Sequence, residues 1–352
     1  MEDQVLKNTA VRLVIFFIVI ASHQVYADSK LSIYGTIHLS TDIIQTESGR
    51  DVLISNNASR FGIKGSDELS PTLKVLWKLE SEIDASGEDA NNTQLKPRNR
   101  FIAIATPFGM LLGGHHDTPL KTLGSKVELF ENSIADRRTI IGSSAFSTAP
   151  DSSNLGNVFD IRAKNALMIV MPSIAGVEIR YLRSTGQDSV NGSDFNSVES
   201  FSGVYKNKFF YVGGAYEDQP QKDSSAQRFV GGIEYKQLQL NFLYEIIDST
   251  YQALERSAKG VSAAYTAGKN VVKAQAFQAG NFYKNKTSSG NLYAFGITRQ
   301  SSNKLSIYTV ATFLKNDSDA QFSLMGGEHG EHYNLGLGET AYGLSFGINY
   351  NF

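Results

Sequence analysis

Residues 28–352 predict an all-β fold: a closed, antiparallel, up-and-down transmembrane β-barrel of about 16 strands. Three observations carry this. Segments of roughly ten residues alternate apolar and polar side chains along the chain, separated in turn by a short tight connection and a longer polar one. The composition, with 31 Gly, 16 Tyr and 21 Phe against 7 Pro, suits strands and hairpins. The chain finishes on "LSFGINYNF", in which Leu344, Phe346, Ile348, Tyr350 and Phe352 share one face. So greasy a segment frays unless it is packed, and strands survive in hydrocarbon only when a closed ring pairs every backbone polar group. A mean hydropathy of −0.21 agrees, since each strand of such a barrel is only half apolar.

The elements follow in order. Lys7 and Arg12 precede the apolar run Leu13–Ala21, and "VYA" closes the segment, the order of a secretory signal peptide cleaved after Ala27. The run falls short of the about 20 apolar residues that a membrane helix needs. The first strand is Leu31–Ile44, followed by a polar loop through "QTESGRD" and a second strand, Ser59–Gly65. In Leu73–Asp84, Leu73, Val75, Trp77, Leu79 and Ile83 take one parity and Lys74, Lys78, Glu80 and Glu82 the other. Arg98–Ala105 and Met110–His115 flank the turn "TPFG", and Phe159–Met171 and Val177–Ser184 flank "PSIAG". Paired segments then continue from Phe201 to the terminal strand, without a linker or low-complexity tract, so residues 28–352 read as one domain.

Composition also excludes. With no Cys, the chain carries neither disulfides nor thiolate metal sites. A net charge of −2 gives no electrostatic case for nucleic acid.

Several stretches resemble the general diffusion porins of Gram-negative outer membranes, the trimeric 16-stranded kind: "LSIYGTIHLSTDI", "NNASRFGIKGSDELSPTLKVLWKLESEID", "RNRFIAIATPFGMLLGGHHDTPLK", "AKNALMIVMPSIAGVEIRYL" and "YGLSFGINYNF". The resemblance implies an outer-membrane channel for passive diffusion of small hydrophilic solutes and ions, a homotrimer among lipid and lipopolysaccharide, with no cofactor. It implies too that Phe352 and Tyr350 form the signal read by the barrel assembly machinery. In that family the third extracellular loop folds inward and narrows the pore. The matching segment here runs from "LKTLGSKV" to "APDSSN", about 35 residues without alternation, and such long irregular loops are usually functional. Within it, "KVELFENSIADRR" places Val127, Phe130 and Ile134 on one helical face and predicts a short helix.

Opposed charges across a narrow aqueous passage confer selectivity. The resemblance places Arg60 and Arg100 at inward positions of the basic wall; parity sets Arg60 against Phe61 and Ile63, and Lys74 and Lys78 against Trp77. Arg162 joins them. Glu128, Glu131 and Asp136 are the acidic loop candidates facing them. The chain departs from the family in carrying His115 and His116 where an arginine usually precedes "DTP", and in lacking the acidic "PEFGG" of enterobacterial members.

Metal and enzyme readings are weaker. Adjacent His115 and His116 on an extended chain point apart, and His329 and His332 in "EHGEHY" lack a second ligand pair at fixed spacing. No carboxylate pair or nucleophile elbow stands out. A sugar- or anion-selective channel, and more remotely an outer-membrane barrel enzyme, remain as alternatives.

Overall fold

The structure is a computed structural model that describes residues 30–87, 95–142, 159–185, 188–190, 193–195, 197–220, 223–249, 255–282, 285–324, 333 and 335–352. The expected signal segment and His329 and His332 lie outside the described residues.

The strands are β1 (Lys30–Gln45), β2 (Arg50–Asn56), β3 (Arg60–Ser70), β4 (Leu73–Glu82), β5 (Lys96–Thr106), β6 (Gly109–Asp117), β7 (Arg162–Val170), β8 (Val177–Ser184), β9 (Asp188–Val190), β10 (Ser193–Phe195), β11 (Val198–Lys206), β12 (Phe210–Gln219), β13 (Ser224–Tyr235), β14 (Leu238–Ser249), β15 (Arg256–Ala267), β16 (Asn270–Ala279), β17 (Gly290–Gln300), β18 (Leu305–Asn316) and β19 (Thr340–Asn351). All but β9 and β10, a small hairpin of their own, belong to one antiparallel sheet. β2 pairs with the later half of β1 and β3 with its earlier half, so together they make one stave of a 16-strand barrel.

Closure is explicit. β19 pairs with β1 from Thr36↔Asn351 to Gln45↔Tyr342, and Gly35 and Phe352 exchange backbone bonds at 3.0 and 3.1 Å. Among the described residues the strands thus close into one ring, the arrangement that spares a sheet its open edges in hydrocarbon. A side chain at position 35 would collide with the Phe352 ring, so the closing register requires glycine there. Along β19, Tyr342, Leu344, Phe346, Ile348 and Tyr350 are all exposed on the outer face, as the terminal alternation predicts. The same holds in β14, where Leu238, Leu240, Phe242 and Tyr244 point out.

Two local expectations are corrected. The polar loop after β1 shrinks to residues 46–49, because "RDVLISN" is strand β2. The break between β2 and β3 comes from Ala58, left-handed at φ 55°, and from Asn57 and Ser59, which turn inward to bond the backbone of His38. In the third loop the helix is α1 (Pro119–Gly124), ahead of the predicted one, with Thr118 Oγ1 accepting from Lys121 N and proline at its start. Residues 128–136 are irregular: Glu128, Ser133 and Asp136 side chains take the N–H groups of Phe130, Ala135 and Asn132, and Asn132 is left-handed at φ 57°. Val127, Phe130 and Ile134 are nevertheless all buried.

Candidate pore constriction

The third loop enters and leaves through one neck. Asp117, ending β6, binds Lys121 at 3.0 Å, Arg162 at 3.2 Å and Asn99 at 2.7 Å, while Thr118 N donates to Ile161 O. Between these ends the loop lies inside the barrel against β11–β18. Its carbonyls, removed from water, must be paired, and wall side chains supply the donors. Tyr211 Oη donates to Lys126 O at 3.1 Å, Ser262 Oγ to Val127 O at 2.8 Å, and Lys273 Nζ to Leu129 O at 2.9 Å. Gln275 reaches Ala135 O, and Arg256 reaches Ile140 O at 2.6 Å. Apolar contact does the rest: Leu120, Leu123, Val127, Ile140, Ile141 and Phe159 pack on inward side chains such as Val230, Leu243 and Phe277.

A buried ionic latch completes the docking. Arg228, fully buried on β13, sits between Asp160 of the loop and Glu245 of β14, and also donates to Leu120 O. Arg137 bonds Asp160 from the loop side at 3.2 Å. Although burial works to raise the Asp160 carboxyl, Arg228 and Arg137 hold it well below the usual carboxylate range.

The opposite wall stays uncovered. Arg60, Lys64, Lys78 and Arg98 cluster there around Tyr34 and Glu80. Glu80 accepts from Lys78 at 2.9 Å, Arg98 at 3.1 Å and Tyr34 Oη at 2.8 Å, with Arg60 at 4.0 Å. Arg98 also binds Glu82 at 3.0 Å, so four cations face two carboxylates. Between this wall and the loop lies a cavity of about 290 Å³, lined by Arg60, His38 and Tyr308 on one side and Glu131, Asn132 and Ser133 on the other, with Lys273.

The sequence-predicted residues separate accordingly. Arg60 and Lys78 lie on the open wall, and Glu131 is exposed on the loop, lining the same cavity as Arg60. Lys74 shares the inward parity but stands at the short-turn rim, exposed and paired with Glu68 at 3.4 Å. Arg162 is held at the loop neck by Asp117. The Glu128 and Asp136 carboxylates turn into the loop rather than the lumen. Glu128 accepts from Phe130 N and Arg137 N and lies 3.5 Å from the Arg137 guanidinium, and Asp136 pairs with Arg138. Burial, with Asp136 adding to it, pushes Glu128 up to about 8. Burial acts on Asp136 in the same sense, but Arg138 outweighs it and holds that carboxyl below its ordinary value.

Arg100 needs correction. It pairs with Leu79 and shares parity with Ile102 and Ile104, all outward, and it donates to Ser81 Oγ and Glu80 O instead of reaching the lumen. The physical reason is a bulge: the register shifts between Leu79 and Ser81, so that Arg98 turns inward while Arg100 stays out. Arg98, Lys64 and Lys273 were missed. Arg100's shared parity with Ile102 and Ile104 was the available signal; the bulge that frees Arg98 leaves none in one sequence. His115 and His116 bond Arg162 O and Asp117 O, and no group of three metal-ligating side chains occurs among the described residues.

A closed 16-strand barrel with its third long loop docked inside defines a pore-forming class of outer-membrane barrel. The chain belongs to the Gram-negative porin family, whose profile matches residues 13–319, and it is a protein of the Gram-negative outer membrane. It is similar to the major outer membrane protein P.IB of Neisseria gonorrhoeae, 27% identical over 124 residues, covering 32% of this chain and 34% of that one. It is 36% identical over 74 residues to P.IA of Neisseria meningitidis serogroup B (strain ATCC BAA-335 / MC58), covering 21% and 18%. The matched stretch thus spans about a third of those relatives' length or less. Among solved structures, an anion-selective porin from Comamonas acidovorans superposes with a TM-score of 0.77 at 17% identity, covering 92% of this chain and 100% of that one. OmpF of Salmonella typhi, complexed with daunomycin, gives 0.68 at 15% identity, covering 92% and 98%. At these identities the likeness is one of fold.

Proposed function

We propose that this protein is a passive outer-membrane channel for small hydrophilic solutes and ions, with the passage set by the third loop on one side and the basic wall of β1–β5 on the other. One observation carries the reading: the loop docks on β11–β18 and leaves Arg60, Lys64 and Lys78 of the opposite wall uncovered. A narrow aqueous passage beside an excess of fixed cations raises the local concentration of anions. That excess favours an anion preference within the same reading, and the Comamonas acidovorans relative in fold is itself described as anion-selective. Arg60 on the wall and Glu131 on the loop are the proposed charge pair of the constriction. Assembly as a homotrimer, and recognition of Tyr350 and Phe352 by the barrel assembly machinery, belong to this proposal. The exposed apolar band and the outward position of both aromatics on the closing strand support them.

Purified protein in planar bilayers under a salt gradient tests the reading. Stepwise conductance with a reversal potential on the anion side is expected. Inserted protein that conducts nothing contradicts the channel, and a cation-side reversal contradicts the role given to the wall.

A further inference from the structure

On the outer face, the arc from β16 to β19 carries a trough of about 700 Å³ bounded by Phe295, Ile297, Ile307, Phe346 and Ile348. Its floor is low because the register puts the small Ala274 and Ala311 in one row with Phe295 and Leu344. At the short-turn end stands Arg299. It shares parity with Phe295 and Ile297, so it faces out from the barrel, and its guanidinium donates to Asn270 Oδ1 at 3.4 Å. Lys269 and Lys304, both exposed, occupy the turns on either side of β17. Gln300 N donates to Lys269 O, and Asn351 N to Lys304 O, which binds both turns to the same stretch of rim. Three cations therefore stand on one stretch of rim, Arg299 lining the trough and Lys269 and Lys304 in the turns beside it, and none forms an ion pair among the described residues.

Four other cations of this rim are already engaged. Lys206 pairs with Glu234 at 3.2 Å, and Lys74 with Glu68 at 3.4 Å. Lys208 and Lys236 lie over the rings of Phe209 and Tyr235 at 5.7 and 5.2 Å. An outward arginine near a membrane interface is tolerated when its head reaches the headgroup level, and a guanidinium fork matches phosphate geometry. Short turns mark the periplasmic side of such barrels, the side whose leaflet is phospholipid.

We infer that this trough holds one phospholipid with an anionic headgroup, an acyl chain lying between Phe295 and Phe346 and the headgroup phosphate bound by Arg299, Lys269 and Lys304. The inference requires the barrel to lie in a bilayer and is independent of conduction. Near an anionic surface each basic residue is worth about 1 kcal/mol, or about 5.4-fold in affinity, so removing two should cost about 30-fold.

The test is native mass spectrometry of the purified full-length protein with phosphatidylglycerol, phosphatidylcholine or lipopolysaccharide as separate probes. One phosphatidylglycerol per chain should be retained in preference to phosphatidylcholine. Retention should fall by about 30-fold in R299Q/K304Q and survive in K208Q/K236Q, with bilayer conductance of both variants unchanged. A311F, which fills the trough and leaves every charge, should also lose the lipid. Equal retention of the two phospholipids, equal losses in the two double variants, full retention in A311F, or lipopolysaccharide displacing the bound lipid would each overturn the inference.

Discussion

The two halves of the barrel interior obey different rules. On β11–β16 the inward positions are packed: Val230, Leu243 and Phe277 are shielded by the third loop, and charged side chains among them are buried, Arg228 paired with Glu245 and Arg256 donating to the loop carbonyl of Ile140. On β3–β5 the inward positions include Arg60, Lys64 and Lys78, which keep contact with the lumen around the buried Glu80–Arg98 pair. One half behaves as the core of a soluble protein and the other as the lining of a channel. The difference shows that a loop, by moving in, decides which part of a polar-looking lumen becomes dry.

The largest effect should come from breaking the dry half. Arg228→Met leaves Glu245 buried without its cation and Asp160 with Arg137 alone, a loss of about 3–5 kcal/mol. It should appear as a lower unfolding temperature in detergent and as protease cleavage within residues 119–142. The triple variant R228M/D160N/E245Q removes the stranded charges and should recover most of that stability; full destabilisation in the triple variant would show that the latch matters for its shape rather than its charge.

Next comes the open half. Replacing Arg60 and Lys64 together by Gln should shift the reversal potential toward cations, a several-fold change in permeability ratio, while the buried Arg98–Glu80 pair stays intact and unfolding temperature moves little. A smaller effect concerns the loop carboxyl. Glu128 ionises near pH 8 in place but at an ordinary carboxylate value when the loop is free. Its protonated form therefore favours docking at low pH, and that contribution fades as pH rises through about 8. Loop proteolysis should be faster at pH 9 than at pH 6 in the native chain, and E128Q should flatten the difference. Smallest are K74Q and R100Q, one at the rim with Glu68 and one on the outer face, which should leave selectivity within about 1.5-fold.

Much of the barrel was legible because strand parity is local. β14 and β19 could be read residue by residue, and their outward rows are those the alternation names. β2 was lost because "GRDVLISN" starts on polar residues and kinks at Ala58 before its apolar pattern has run far. The helix expected over residues 126–138 failed since periodicity recorded which side chains are buried, while Glu128, Ser133 and Asp136 took the backbone N–H groups a helix would use. Arg100 went astray because family position outweighed its parity with Ile102. The Arg228 latch joins residues 68 and 17 positions apart across separate elements, a pairing that no local pattern encodes.

In the proposed channel the open passage runs between Arg60 and Glu131. Because the chain contains no cysteine, single-site variants R60C, E131C and R100C can be challenged with a bulky thiol reagent during single-channel recording. Conductance should drop by more than half at positions 60 and 131 and stay unchanged at 100. Block at position 100, or none at 60 and 131, would contradict the account.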